Sequence, residues 1–430
     1  MKRERRVDFK PMDKKTLLVG LNLGDYGSTG NMMISTFEYC ASHGNYNYLI
    51  IVPSATKCNK NVFAFKEKPL NIIEKILFHR ILKLPKRRPQ GFFEYPYTKR
   101  IIKRIKKEAK YYEKIIVHIH NIHKCFIDIR YLFKYLSKET KIKKIFYTLH
   151  DSWAFTGGCY TFNYINCKGW SNSVNPCDEC HFKDEMLLEK FNTGKVAKLK
   201  KKYFKLLRNK IVFIAVSKWM KDNFDNSFLK EYPCVINYGG TSLSPCKKKN
   251  TALIKRLQIQ NKKTILTVSS HWHYSKGGDL LLPIAERLPD GYVLLVIGGK
   301  VDIKHKNLIT IGKVDFSILN QYYSIADVFI SLSRDESLGL TTCEAQICGV
   351  PVIAFDHAAI KETIIDGKTG YILNNNDDVD KIVKAIVKVV ENTPFKKEDI
   401  VLNGQRFQKN EHAKRMLDLF NVQSINHLKS

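Results

Sequence analysis

The sequence predicts an α/β protein built from two doubly wound, parallel-sheet domains. Three observations predict it. Short apolar runs rich in β-branched residues alternate with stretches of helical character along nearly all 430 residues, and strands separated by helices form parallel sheets. The length exceeds what one hydrophobic core usually supports. The predicted strands also end on polar residues at their carboxyl ends, where such sheets bind ligands.

In the first half, Lys15-Thr-Leu-Leu-Val-Gly-Leu-Asn22 is a strand, residues 24–30 a small-residue loop and residues 31–42 a helix. Tyr48-Leu-Ile-Ile-Val52, Lys114-Ile-Ile-Val-His-Ile-His120, Lys144-Ile-Phe-Tyr-Thr-Leu-His150 and Ile211-Val-Phe-Ile-Ala-Val216 are the next strands. At their ends lie Gly27-Ser28-Thr29-Gly30, His120-Asn121, His150-Asp151 and Ser217. One polar strand end is ordinary; four on one sheet edge mark a site.

The second half repeats the alternation. Lys263 to Ser269 is a strand, followed by His271-Trp-His-Tyr-Ser-Lys276-Gly-Gly278, a helix over 279–288 and a strand from Tyr292 to Gly298. Ala326 to Ser333 reads as a buried strand. The most informative stretch comes next, Arg334-Asp-Glu336-Ser-Leu-Gly339-Leu340-Thr341-Thr-Cys-Glu344, with Gly349 and Pro351 closing a short helix before the strand Val352-Ile-Ala-Phe355. A strand, a glycine-bearing turn and a helix N-terminus make an anion site, because free N–H groups and the helix dipole point at one spot. Carboxylates on both sides, Glu336 and Glu344, suit a polyhydroxylated phosphate ligand such as a nucleotide-sugar. Thr341-x-x-Glu344 also has the pattern of a capping box, which would use the same acid for helix stability alone.

The spacing of Glu336 and Glu344 resembles the Glu-x7-Glu signature of retaining glycosyltransferases of family 4, of the bacterial capsule and exopolysaccharide type. These have the GT-B fold, two Rossmann-like domains facing a central cleft. The resemblance implies that Glu336 meets donor-sugar hydroxyls and that Glu344 meets the ribose. It also implies that Lys276 and the amides around Gly339, Leu340 and Thr341 hold the diphosphate of a UDP- or GDP-sugar. His150 falls where relatives carry a histidine near the donor sugar, and Gly27, Ser28 and Gly30 fall in the loop between donor and acceptor. On this reading Glu336, His150 and Lys276 are catalytic, anomeric configuration is retained, and no catalytic cofactor is needed. His271 stands where many relatives have an arginine, and Ala358-Ala359 where they have Gly-Gly. The implied domains are an acceptor-binding unit over 1–240, a donor unit over 241–405 and a returning helix over 406–430. The crossover lies near Ile236-Asn-Tyr-Gly-Gly240.

Inside the first unit, a cysteine-bearing insertion at 158–182 carries Cys159, Cys167, Cys177 and Cys180. Four thiolates in a short loop suit a structural tetrahedral zinc, and only the last pair has the usual ligand spacing. Free thiols or a redox pair are the other readings. The odd total of eleven cysteines argues for a reducing compartment rather than a disulfide framework.

The net charge is +31 and lies almost wholly in one half: residues 1–250 hold 49 Lys+Arg against 21 Asp+Glu, residues 251–430 hold 23 against 20. No apolar run approaches the roughly 20 residues of a membrane span, and the basic N-terminus lacks the apolar core of a signal peptide. No nucleic-acid module is visible, so nucleic acid is not the expected partner. The amphipathic stretch 70–84, Lys86-Arg-Arg88, the aromatics Phe92, Phe93, Tyr95 and Tyr97, and the basic stretch 99–110 suit an anionic membrane surface. They suit core-facing helices with solvated lysines as well. The sequence thus predicts a cytoplasmic enzyme held at the inner membrane face, with a lipid-linked or polysaccharide acceptor. A nucleotide-sugar epimerase of the same architecture and a basic nucleic-acid-binding protein are the rivals.

Overall fold

The structure is a computed structural model that describes residues 15–56, 59–65, 92, 95–123, 127–172, 174–178, 180, 192–246, 248–374 and 378–422. The stretch 70–84, Lys86 to Arg88 and Phe93 lie outside the described residues, as does the end of the 158–182 insertion.

Two parallel sheets carry the chain. The first has seven strands, β1 (Thr16–Leu21), β2 (Tyr46–Val52), β3 (Val62–Ala64), β4 (Lys114–Ile119), β5 (Ile142–Leu149), β6 (Ile211–Ala215) and β7 (Cys234–Ile236), in the order β3-β2-β1-β4-β5-β6-β7. The second has six, β8 (Lys263–Ser269), β9 (Tyr292–Gly298), β10 (Leu308–Gly312), β11 (Val328–Ser331), β12 (Val352–Phe355) and β13 (Gly370–Leu373), in the order β10-β9-β8-β11-β12-β13. Both are doubly wound, with β1 and β8 at the interior of their sheets. Their strands read as continuous apolar runs because helices cover both faces. Along β1, Leu17, Val19 and Leu21 enter one core, while Leu18 enters the other beside Met33 and Phe37.

The strands at the sheet interiors match the sequence reading; β3, β7, β10 and β13 are the ones it missed. Three are outer strands of three to five residues, too short for a periodic signal, and β13 is a four-residue edge strand. Residues 27–30 are not a loop. They form the first turn of the helix Gly27–His43.

The basic stretch 99–110 lies in the helix Tyr95–Ala109. Ile101 and Ile105 are fully buried in the first core, while Lys99, Lys103, Lys106 and Lys107 face outward. For this helix the apolar stripe faces the protein interior. Its lysines form the exposed surface.

The chain crosses between sheets twice, side by side. Thr241 N–H donates to the Phe407 carbonyl at 2.9 Å and Lys409 N–H donates to the Thr241 carbonyl at 2.9 Å. After the return, the helix Lys409–Asn421 lies on the first sheet's helix Gly27–His43. Its Phe420, 2% exposed, meets the rings of Phe146 (5.1 Å), His118 (5.6 Å), Tyr46 (6.3 Å) and Phe37 (6.4 Å). Removing so enveloped a ring leaves a cavity that the surroundings only partly fill. Phe420→Ala is therefore expected to destabilise the first domain by about 3–5 kcal/mol, read as a lower urea midpoint; an unchanged midpoint would show that the returning helix carries no such role.

Candidate active site

The carboxyl ends of both sheets open on one cleft of about 370 Å³. From the first sheet it is lined by Gly27, Ser28, Thr29 and His150, and from the second by Lys276, Glu336, Gly339, Leu340, Thr341 and Glu344. Nine of the expected residues thus meet in one place. Gly30 and His271 do not line the cleft. Gly30 is a packing position, since a side chain there would come within 2.7 Å of the Asp25 backbone. The His271 ring lies 3.0 Å from the Ser270 hydroxyl.

Two helices begin at this cleft, Gly27–His43 from one side and Leu340–Ile347 from the other. Neither start has a capping side-chain hydrogen bond, and neither has an acid in its first turn. Each therefore presents N–H groups and the positive end of its dipole. Gly339 makes the second start possible: its φ of 88° is left-handed, open to glycine and costly for most side chains. The capping-box reading of Thr341 and Glu344 is not realised.

Glu344 is instead fixed by two neutral donors. The Thr241 hydroxyl donates to one oxygen at 3.0 Å and the Tyr323 hydroxyl to the other at 3.1 Å. Burial raises its pKa to about 7, against the pull of these hydrogen bonds. Glu336 sits across the cleft, where Lys276 Nζ donates to it at 2.5 Å as well as to the Ser333 hydroxyl (3.1 Å) and the Asp335 carbonyl (3.0 Å).

His150 follows β5 directly, its Nε2 2.8 Å from His120 Nδ1. Burial, then the neighbouring His412 and His123, push its pKa down to about 3, so the ring is neutral at working pH. Below the turn that follows, Lys200 is completely buried and donates to the carbonyls of Trp153 (2.5 Å) and Thr156 (3.1 Å). Burial lowers its pKa to about 7. Nothing in the local sequence pattern marked this lysine, because its partners lie more than 40 residues away.

Several bonds tie the two sides of the cleft. Asp335 Oδ2 accepts from the amides of Phe162 (3.0 Å), Asn163 (2.6 Å) and Tyr164 (3.4 Å). Glu362 accepts from the amides of Lys218 and Trp219, both at 2.7 Å, at the start of the helix Lys218–Asp225. The Ser337 hydroxyl donates to the His150 carbonyl (2.7 Å), and the Ser217 hydroxyl donates to the Ser337 carbonyl (2.6 Å). Ala358, where the resemblance led one to expect glycine, adopts a left-handed φ of 49°, and the next amide, Ala359, donates to the Glu336 carbonyl at 3.2 Å. The left-handed alanine thus places strain beside the site.

The zinc expectation draws no support from the structure. Cys159, Cys167, Cys177 and Cys180 line one small cavity with Phe162 and Trp170, yet among the described residues no group of three or more His, Cys, Asp or Glu side chains is placed to hold a metal ion. Burial raises the Cys159 and Cys177 pKa values. Cys177 Sγ instead accepts from the Gly157 amide at 3.2 Å. The structure also joins Cys246 and Cys348 in a disulfide across 102 residues. The sequence reading expected no disulfide framework; this bridge arises because the segment after the crossover passes the end of the helix Leu340–Ile347, a proximity that spacing does not reveal.

Residues 249–407 match the family model of glycosyl transferases group 1. That span is most of the second domain, which therefore resembles the group 1 glycosyl transferases. A protein of Klebsiella pneumoniae described as an uncharacterized 41.2 kDa protein in the cps region is 29% identical over 65% of this chain and 70% of its own. The putative colanic acid biosynthesis glycosyl transferase WcaC of Escherichia coli is 23% identical over 58% of this chain and 62% of its own. Anabaena Alr3699/HepE, solved with UDP-glucose, superposes with a TM-score of 0.61 at 13% identity over 94% of this chain and 99% of that one. The last likeness establishes the fold, GT-B.

The cap supplied by Glu362 is open to a direct test. Glu362→Ala leaves two amides of a helix start without their acceptor. Hydrogen exchange at Lys218 and Trp219 is expected to rise by about tenfold, and equal exchange in variant and parent would refute the cap.

Proposed function

We propose that the chain transfers a sugar from a nucleoside-diphosphate sugar to a lipid-linked or polysaccharide acceptor, with retention of configuration, in surface polysaccharide biosynthesis. The observation that carries this reading is the pair of uncapped helix starts facing one cleft, with Lys276 beside them and an acid at either side. A diphosphate is the ligand that fits such a concentration of N–H groups and positive charge. Glu336 would take hydroxyls of the sugar and Glu344 those of the ribose.

The chemistry follows from charge. As the sugar leaves, negative charge grows on the diphosphate, and Lys276 with the amides near Gly339 and Leu340 stabilises it. Lys276 is held by Glu336 in the structure described, so donor binding would exchange that carboxylate for phosphate oxygens. Neutral His150 would orient the sugar without repelling the positive charge that develops on it as the diphosphate leaves. The positive charge that meets the leaving group comes from Lys276 and the helix starts, and the proposed mechanism calls on no metal. Relatives named for colanic acid biosynthesis and for the cps region, and the UDP-glucose complex of HepE, support the donor class and the setting. The epimerase and nucleic-acid readings draw no support from these relatives.

The acceptor side is proposed to meet an anionic membrane at its cytoplasmic face. None of the described helices is long and apolar enough to cross a membrane. The outward lysines of the helix Tyr95–Ala109 would supply attraction, each contributing about 1 kcal/mol near an anionic surface.

Glu344 gives a test with a defined sign. Its folded pKa of about 7 lies above the ordinary carboxyl value of 4.5. The unliganded protein therefore gains stability from its protonated form below about 4.5 and loses that gain as pH rises through 7. Ribose hydroxyls need the ionised form as acceptor, so ligand affinity runs the other way. Calorimetry with UDP and GDP is expected to show Kd for the preferred nucleotide rising by up to about tenfold per pH unit below 7. Glu344→Gln should weaken binding and flatten that dependence; a wild-type Kd constant from pH 6 to 8 contradicts the assigned role.

A further inference from the structure

We infer that Asp335 is a positioning residue for the sugar-binding acid Glu336, and that the cysteine-bearing segment after β5 serves the site by holding it. The inference rests on the proposed transferase reading and deepens it. Three successive amides, Phe162, Asn163 and Tyr164, converge on a single carboxylate oxygen of Asp335, at 3.0, 2.6 and 3.4 Å. The Asn163 side chain adds a bond from its Nδ2 to the Arg334 carbonyl at 3.2 Å. Asp335 is almost wholly buried, so these donors replace the water it gave up.

The other end of the same residue is fixed from the second domain. Its carbonyl accepts from Lys276 Nζ (3.0 Å) and from the Ser333 hydroxyl (3.1 Å). Lys276 also holds the Glu336 carboxylate. Asp335 is thus clamped through its side chain by one domain and through its backbone by the other, with Glu336 as the next link in the chain. A shift of Asp335 has to turn Glu336.

The segment that supplies the amides is itself stiff. The Phe162 ring packs against Trp170 at 4.8 Å and Trp219 at 5.8 Å, and the Trp170 indole donates to the Cys167 carbonyl at 2.9 Å. Cys159, Cys167, Cys177 and Cys180 line the small cavity beside these rings. Their use, on this reading, is to shape a platform of N–H groups.

The experiment compares the affinity of a nucleotide with that of its sugar conjugate, using UDP with UDP-glucose and GDP with GDP-mannose. Glu336 would touch only the sugar, so Asp335→Ala should leave the nucleotide Kd within about twofold while weakening the conjugate about tenfold, the cost of roughly one lost hydrogen bond. Asp335→Asn, which keeps an oxygen for the three amides, should restore most of the preference. Amide exchange at Phe162 to Tyr164 should rise in the alanine variant. Should that variant fail to fold, Asn163→Ala is expected to show the same split at about threefold. A variant with the parent's preference for the conjugate, or with both affinities reduced equally, overturns the inference alone. A wild-type protein that binds none of the four ligands overturns the transferase reading and this inference with it.

Discussion

Carboxylates of the second domain complete the unpaired backbone of the first. Asp335 fills a nest of three amides in the segment after β5, and Glu362 caps the helix Lys218–Asp225. An isolated buried charge is costly, and so is an amide without an acceptor. Bringing the two domains together removes both costs at once. The cleft exists in its described shape because these pairings set how far apart its walls stand. The hydroxyls of Ser217 and Ser337 then lock the strand ends of β5 and β6 to the loop that carries Glu336.

Inside the cleft the electrostatics are arranged in a mixed pattern. Two helix starts and Lys276 supply positive potential, while Glu336 and Glu344 supply acceptors at the margins. His150, which a charged ring would add to the positive side, is kept neutral by burial. Glu344 is left near the point of half-ionisation because Thr241 and Tyr323 return only part of the solvation it loses. Such a carboxyl has its hydrogen-bonding needs partly met before any ligand arrives, and a ribose would complete them.

The lopsided charge of the chain has a clear structural counterpart in one place. The helix Tyr95–Ala109 buries its isoleucines and leaves its lysines outside. A basic surface can therefore coexist with an ordinary core, and attraction to an anionic layer would not require any apolar residue to leave that core. Charge acts at a range of about a Debye length, so a surface of this kind needs no insertion to be felt.

How much was legible without coordinates depends on the range of the interaction. The apolar runs of β1, β4, β5, β8, β9 and β12 could be read directly, because a buried parallel strand must be apolar on both faces. Glu336, Gly339 and Glu344 were legible too, because a glycine turn and a helix start act within a dozen residues. The sequence did not tell whether Glu344 capped its own helix or faced the cleft; Tyr323 and Thr241, 21 and 103 positions away, settle that. Nor did it mark Asp335, an acid among acids until three amides from another domain reach it. The cysteine spacing was ambiguous for the same reason, since whether thiols ligate a metal depends on the directions in which the loop turns them. Local pattern determined the elements and the chemistry they offer. Only the folded chain decided which donors meet which acceptors, because that pairing is fixed by burial across the interface and not by neighbours in sequence.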